Sequence, residues 1–131
     1  MKLVVAEAGS AEMRSLLLGG LTVMASVEIA YVELRAALAA AERDGRFPGD
    51  HYPRAKSILE RVWKSTSPLA VDGELVRAAA ELAEQMGLRG YDAVHLAGLR
   101  RLGEPGAVSF ACWDGRLRAA AASVGYEVHP A

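Results

Sequence analysis

Ala107-Val108-Ser109-Phe110-Ala111-Cys112-Trp113-Asp114-Gly115-Arg116-Leu117 passes from the strongest strand signal in the chain straight into a helix start. The apolar run to Cys112 is strand-like, and Asp114-Gly115 opens a helix expected to reach about Val124. Working outward, a helix from about Tyr91 to Leu102 precedes this strand across the Gly103–Gly106 loop, and Tyr126-Glu127-Val128 follows as an edge strand. Upstream the alternation recurs. Residues 21–25 and 68–71 read as short strands, and helices are expected from Ser26 to about Asp44, from Pro53 to about Lys64, and from an Asp72 cap to Met86 with Gly87 as terminator. Residues 1–8 read as the end of an element that begins abruptly, and 11–18 as a short helix. Strands alternating with helices predict an α/β fold, three-layered α/β/α around a central parallel sheet, as a single domain over 1–131.

Composition bounds the function. The 131 residues, 52% of them apolar, suffice for one core without metals or disulfides. Fifteen Lys plus Arg against sixteen Asp plus Glu leave a net charge of −1, which excludes the broad positive field of a protein that coats nucleic acid. Any RNA or DNA contact is therefore local. Cys112 is the sole cysteine and the three histidines are scattered, so neither an intrachain disulfide nor a Cys/His zinc site is expected. Apolar runs fall far short of the ~20 residues of a membrane helix, and Glu7 interrupts the N-terminal apolar stretch before a signal-peptide core develops. A cytoplasmic location suits these features.

Three acids stand out. On the 26–44 helix, Glu28, Arg35 and Glu42 form a charged stripe expected to face solvent, whereas Glu33 falls among Ile29, Ala30, Ala36, Ala37 and Ala40. A carboxylate on an apolar face calls for a cation, and either a metal or one of the twelve arginines would serve. Asp92 sits in the first turn of its helix with His95 three residues on. Exposed N–H groups and the helix dipole are sufficient reason for an acid there, and His95 reads as a packed residue. Asp114 ends the best strand, at the carboxyl edge of the sheet where open α/β folds bind ligands. Asp72 has the same local setting and reads as a plain helix cap. Three carboxylates converging on one sheet edge would repel one another unless a divalent cation neutralised them, and Mg²⁺ has the required preference for hard oxygens.

Three segments carry a family resemblance: Ala25-Ser26 with Tyr31-Val32-Glu33-Leu34-Arg35-Ala36-Ala37-Leu38, then Gly87-Leu88-Arg89-Gly90-Tyr91-Asp92-Ala93-Val94-His95-Leu96-Ala97, then Phe110-Ala111-Cys112-Trp113-Asp114-Gly115-Arg116-Leu117. In order and separation they resemble the PIN domain, and within it the VapC toxins of type II toxin-antitoxin systems. The resemblance implies a Mg²⁺- or Mn²⁺-dependent ribonuclease acting on RNA, usually a homodimer, held inactive by a cognate antitoxin. It implies that Glu33, Asp92 and Asp114 are metal-binding, catalytic acids. Cys112 stands where the family commonly has Thr or Ser, and a thiol donates a weaker hydrogen bond. The family also opens with a strand ending in Asp, and Met1–Ser10 resembles the helix after that strand. On this reading the first strand and its Asp are missing, and weak metal binding and low nuclease activity are expected. Arg89, Arg100, Arg116 and Arg118 are candidate phosphate contacts.

Two other readings remain open from sequence. One is a PIN-like module that binds antitoxin or RNA without cleaving, which need not respond to Mg²⁺. The other, an unrelated α/β phosphatase or receiver domain, lacks any P-loop, GxGxxG or nucleophile elbow in its support.

Overall fold

The structure, a computed structural model, describes Ser15 and residues 23–130. Of the helix expected over 11–18 only Ser15 is described, and it is helical; residues 1–8 and the question of an opening strand lie outside the described residues. The elements are β1 (Met24–Val27), α1 (Ile29–Arg43), α2 (His51–Lys64), β2 (Thr66–Leu69), α3 (Gly73–Met86), α4 (Gly90–Leu102), β3 (Ser109–Ala111), α5 (Gly115–Ser123) and β4 (Glu127–His129). The α/β class expected from the alternation holds. Among the described residues the strands pair two by two, β1 with β2 and β3 with β4, and the second pair is parallel, as expected. The chain groups into two compact units that meet between Pro68 and Leu69, each described here by itself.

In the first unit, α1 and α2 pack as a helical pair around buried Leu38, Ala55 and Leu59, with Tyr31, Leu34, Phe47 and Tyr52 against them. Gly45 and Gly49, both at positive φ, turn the connecting loop at angles few other residues adopt. The stripe expected to face solvent is only partly exposed. Arg35 is half-buried because its guanidinium donates to the Tyr31 hydroxyl at 2.7 Å and to Glu60 at 3.0 Å, while Tyr31 donates to Glu60 at 2.6 Å. This polar triad ties α1 to α2, with the Trp63 ring 5.4 Å from that of Tyr31. Ser26 is not the helix cap: it lies in β1, its hydroxyl donates to the Val27 carbonyl, and Glu28 precedes α1 without a side-chain cap.

In the second unit, α3 and α4 form the main helical contact. Asp72 caps α3 by accepting from the Leu75 N–H at 2.8 Å, and Gly87 ends the helix in the left-handed conformation at φ 64°. Arg101 of α4 reaches back to Asp72 at 3.0 Å. β3 pairs with β4 from Ser109 opposite Glu127 to Ala111 opposite His129, and the Cys112 N–H extends the ladder to the His129 carbonyl. The buried Tyr126 donates its hydroxyl to the Gly103 carbonyl at 2.7 Å, fixing the loop after α4. No helix among the described residues is long and apolar enough to cross a membrane.

Candidate metal-binding acids

Asp92 and Asp114 come together in the second unit. Asp114 is the N-cap of α5: its Oδ1 accepts from the backbone N–H groups of Arg116 at 3.1 Å and Leu117 at 3.0 Å. Asp92 lies in the first turn of α4, and its side chain is only 12% exposed. Between them stands Arg89, the residue before α4. Its Nε–H donates to Asp92 Oδ2 at 2.7 Å and its Nη2–H to Asp114 Oδ2 at 2.7 Å. The fork of N–H groups with which an arginine ordinarily grips one carboxylate is thus divided between two. The arrangement depends on both helices starting at neighbouring points, which α4–α5 packing and the short β3 provide.

The electrostatics follow this geometry. The Leu117 backbone N–H, and after it the Arg89 charge, hold the Asp114 carboxyl below the usual carboxylate range. Its contacts with the two acids raise Arg89 above its ordinary value, Asp92 contributing most. A carboxyl depressed in the folded state contributes stability that is fully present above the unfolded value of about 3.9, and that contribution is lost as pH falls through the depressed folded value. Asp72, held down by Arg101 and the α3 cap, and Glu60, held down chiefly by the Tyr31 hydroxyl, act in the same direction. Asp114→Asn is therefore expected to lose less stability than the parent on acidification from pH 7 to about pH 3, with residual loss from Asp72 and Glu60. Urea unfolding at the two pH values measures this; equal losses would reject the contribution.

Cys112 faces the same corner. The Asp114 N–H donates to its sulfur at 3.3 Å and the thiol donates to the Asp114 carbonyl at 3.9 Å, so the sulfur serves as acceptor and as a long, weak donor beside the acid. Burial pushes its pKa up, which keeps it a neutral thiol.

Glu33 belongs to the first unit and is exposed, which corrects the expectation of a carboxylate on a buried face. The buried residues of α1 are Ala30, Leu38 and Ala41, and at 100° per residue Glu33 lies about 90° from their centre. Its alanine neighbours are small and leave it open. Among the described residues no three Asp, Glu, His or Cys side chains form a ready cage for a metal ion. Two of the four arginines considered for phosphate contact have other work. Arg89 holds the acids, and Arg118 donates to the carbonyls of Cys112 at 2.7 Å and Pro130 at 2.6 Å, tying down the end of β3 and the C-terminal segment. Arg100 and Arg116 are exposed. What sequence reading missed is the double role of Arg89. Its spacing from Asp92, three residues, signals one contact, but nothing local signals Asp114, 25 residues from Arg89.

No protein-family model matches the chain. Among curated proteins it is 39% identical, over all 131 of its residues and 90% of the relative's length, to Ribonuclease VapC45 of Mycobacterium tuberculosis strain CDC 1551 / Oshkosh. The same identity and coverage are found with Ribonuclease VapC49 of Mycobacterium tuberculosis strain ATCC 25618 / H37Rv.

Proposed function

The chain belongs to the VapC family of ribonucleases, and from that premise we propose that it is a toxin endoribonuclease that cleaves RNA with the aid of Mg²⁺ or Mn²⁺ and is neutralised by a cognate antitoxin. The observation that carries the chemistry is the pair Asp92–Asp114, whose Oδ2 atoms already converge on one positive group. The donor set fits a divalent cation: both ligands are hard carboxylate oxygens, and Mg²⁺ commonly takes one or two carboxylates and completes its shell with water and phosphate. Such a cation supplies an activated water and stabilises the leaving oxygen of a phosphodiester.

Asp92 and Asp114 are the residues assigned to hold it. Glu33 joins them on the sequence resemblance alone. Asp114 is well suited because its Oδ1 is fixed by the α5 cap, so Oδ2 is presented in one direction without further ordering cost. Arg100 and Arg116, exposed on α4 and α5, are assigned to RNA phosphate contacts, which bind without reading sequence. A homodimer, from the resemblance, working in the cytoplasm, from the composition, completes the proposal.

The test is cleavage of RNA by the purified chain with Mn²⁺ or Mg²⁺, against chelator and against Glu33→Gln. Slow cleavage that requires both metal and Glu33 is expected, in keeping with the low activity inferred from the sequence. Cleavage indifferent to chelator would reject the metal. Binding of RNA or antitoxin without any cleavage would favour a non-catalytic PIN-like module.

A further inference from the structure

We propose that Arg89 is a built-in counter-ion that holds Asp92 and Asp114 together in the metal-free chain and competes directly with a divalent cation for their Oδ2 atoms. The inference rests on the metal-dependent reading above and concerns how that site is regulated. The argument is one of available oxygens. Asp114 has two, and Oδ1 is committed to the Arg116 and Leu117 N–H groups at the start of α5. A cation that took Oδ1 would have to break the cap, leaving helix N–H groups without their acceptor. Oδ2 is the oxygen left for a metal, and Arg89 Nη2 lies 2.7 Å from it. The other branch of the same guanidinium is 2.7 Å from Asp92 Oδ2, so a cation held by these acids would have to displace Arg89 from the same oxygens.

Two properties make arginine suited to this task. Its charge is permanent, so the hold on the acids does not vary with physiological pH. Its planar fork gives two charge-assisted hydrogen bonds in fixed geometry, which keeps two mutually repelling carboxylates close without metal. The side chain is 63% exposed, so it has solvent to swing into when displaced. A lysine at this position would supply the charge without the fork.

Arg89→Gln removes the charge and the fork. Titration calorimetry with Mn²⁺ alone, on the full chain, is expected to show binding about tenfold tighter in the variant, the factor that corresponds to losing one competing charge-assisted contact. The metal-free variant is expected to melt at lower temperature, because the acid pair then repels, and Mn²⁺ is expected to raise its melting temperature more than the parent's. Arg89→Lys, which keeps the charge, is expected to tighten Mn²⁺ binding by a smaller factor and is the deciding variant if Arg89→Gln does not fold. A purely structural Arg89 would give weaker Mn²⁺ binding on replacement. Unchanged or weaker binding in the variant overturns the competition. Failure of every chain, Asp114→Asn included as control, to bind Mn²⁺ overturns the metal-dependent reading itself and the competition with it.

Discussion

Asp92→Asn is expected to lower metal-dependent RNA cleavage by about 10²- to 10³-fold while leaving the chain folded. Asparagine keeps the shape of the side chain and a carbonyl oxygen for the Arg89 Nε–H, but it supplies no negative charge to a cation. The structural cost is limited by the surroundings. Arg89 is 63% exposed and keeps its contact to Asp114, so losing the charge of one partner removes an interaction that solvent already screens on the arginine side. The catalytic cost is not limited in that way, because losing one of the two carboxylates that Arg89 joins leaves Asp114 alone at this corner to hold a cation. Initial cleavage rates in Mn²⁺ and melting temperatures of parent and variant separate the two roles. A rate within threefold of the parent would reduce Asp92 to an ion-pair partner of Arg89; collapse of the fold would make its role structural first.

That contrast also shows where the sequence is informative. Asp72 and Asp114 are legible as caps, and Gly87 as a terminator, because capping is decided by a few consecutive residues. The helices of the second unit are accordingly placed to within a residue or so. The strands are less well placed: β1 runs on to Val27 rather than stopping at Ala25, and β2 ends at Leu69 rather than running to Val71, where the chain extends toward the Asp72 cap. Short apolar runs carry no end signals. The environment of Glu33 is misread for a related reason, since a helical wheel counts alanines as a core face although α1 is anchored by Leu38. Most important for function, Arg89 and Asp114 meet through the packing of α4 and α5, which no local spacing encodes.

The second large effect lies beneath the acids rather than at them. Leu96 is fully buried, one helical turn beyond Asp92 on α4, where α4 packs against α3 and its buried Leu75, Ala79 and Leu82. Leu96→Ala removes one of the two leucines of α4's buried face and leaves a cavity. The transfer and cavity terms together are expected to cost about 3 kcal/mol, which for a chain of this size corresponds to a fall of about 10 °C in melting temperature. Ala93, Ala97 and Gly98 beside it have no rotamer freedom with which to fill the space, so collapse has to come from the neighbouring leucines or from movement of α4. Such movement shifts Asp92 relative to the Asp114 cap, and the Arg89 fork, whose two contacts are both 2.7 Å, tolerates little of it. Denaturant unfolding gives the stability change, and Mn²⁺ titration below the transition gives the effect on the acid pair. A loss under about 1 kcal/mol would mean that α3 and α4 close the cavity; a large loss with unchanged Mn²⁺ affinity would mean that Arg89 and the α5 cap hold the acids in place without help from the core.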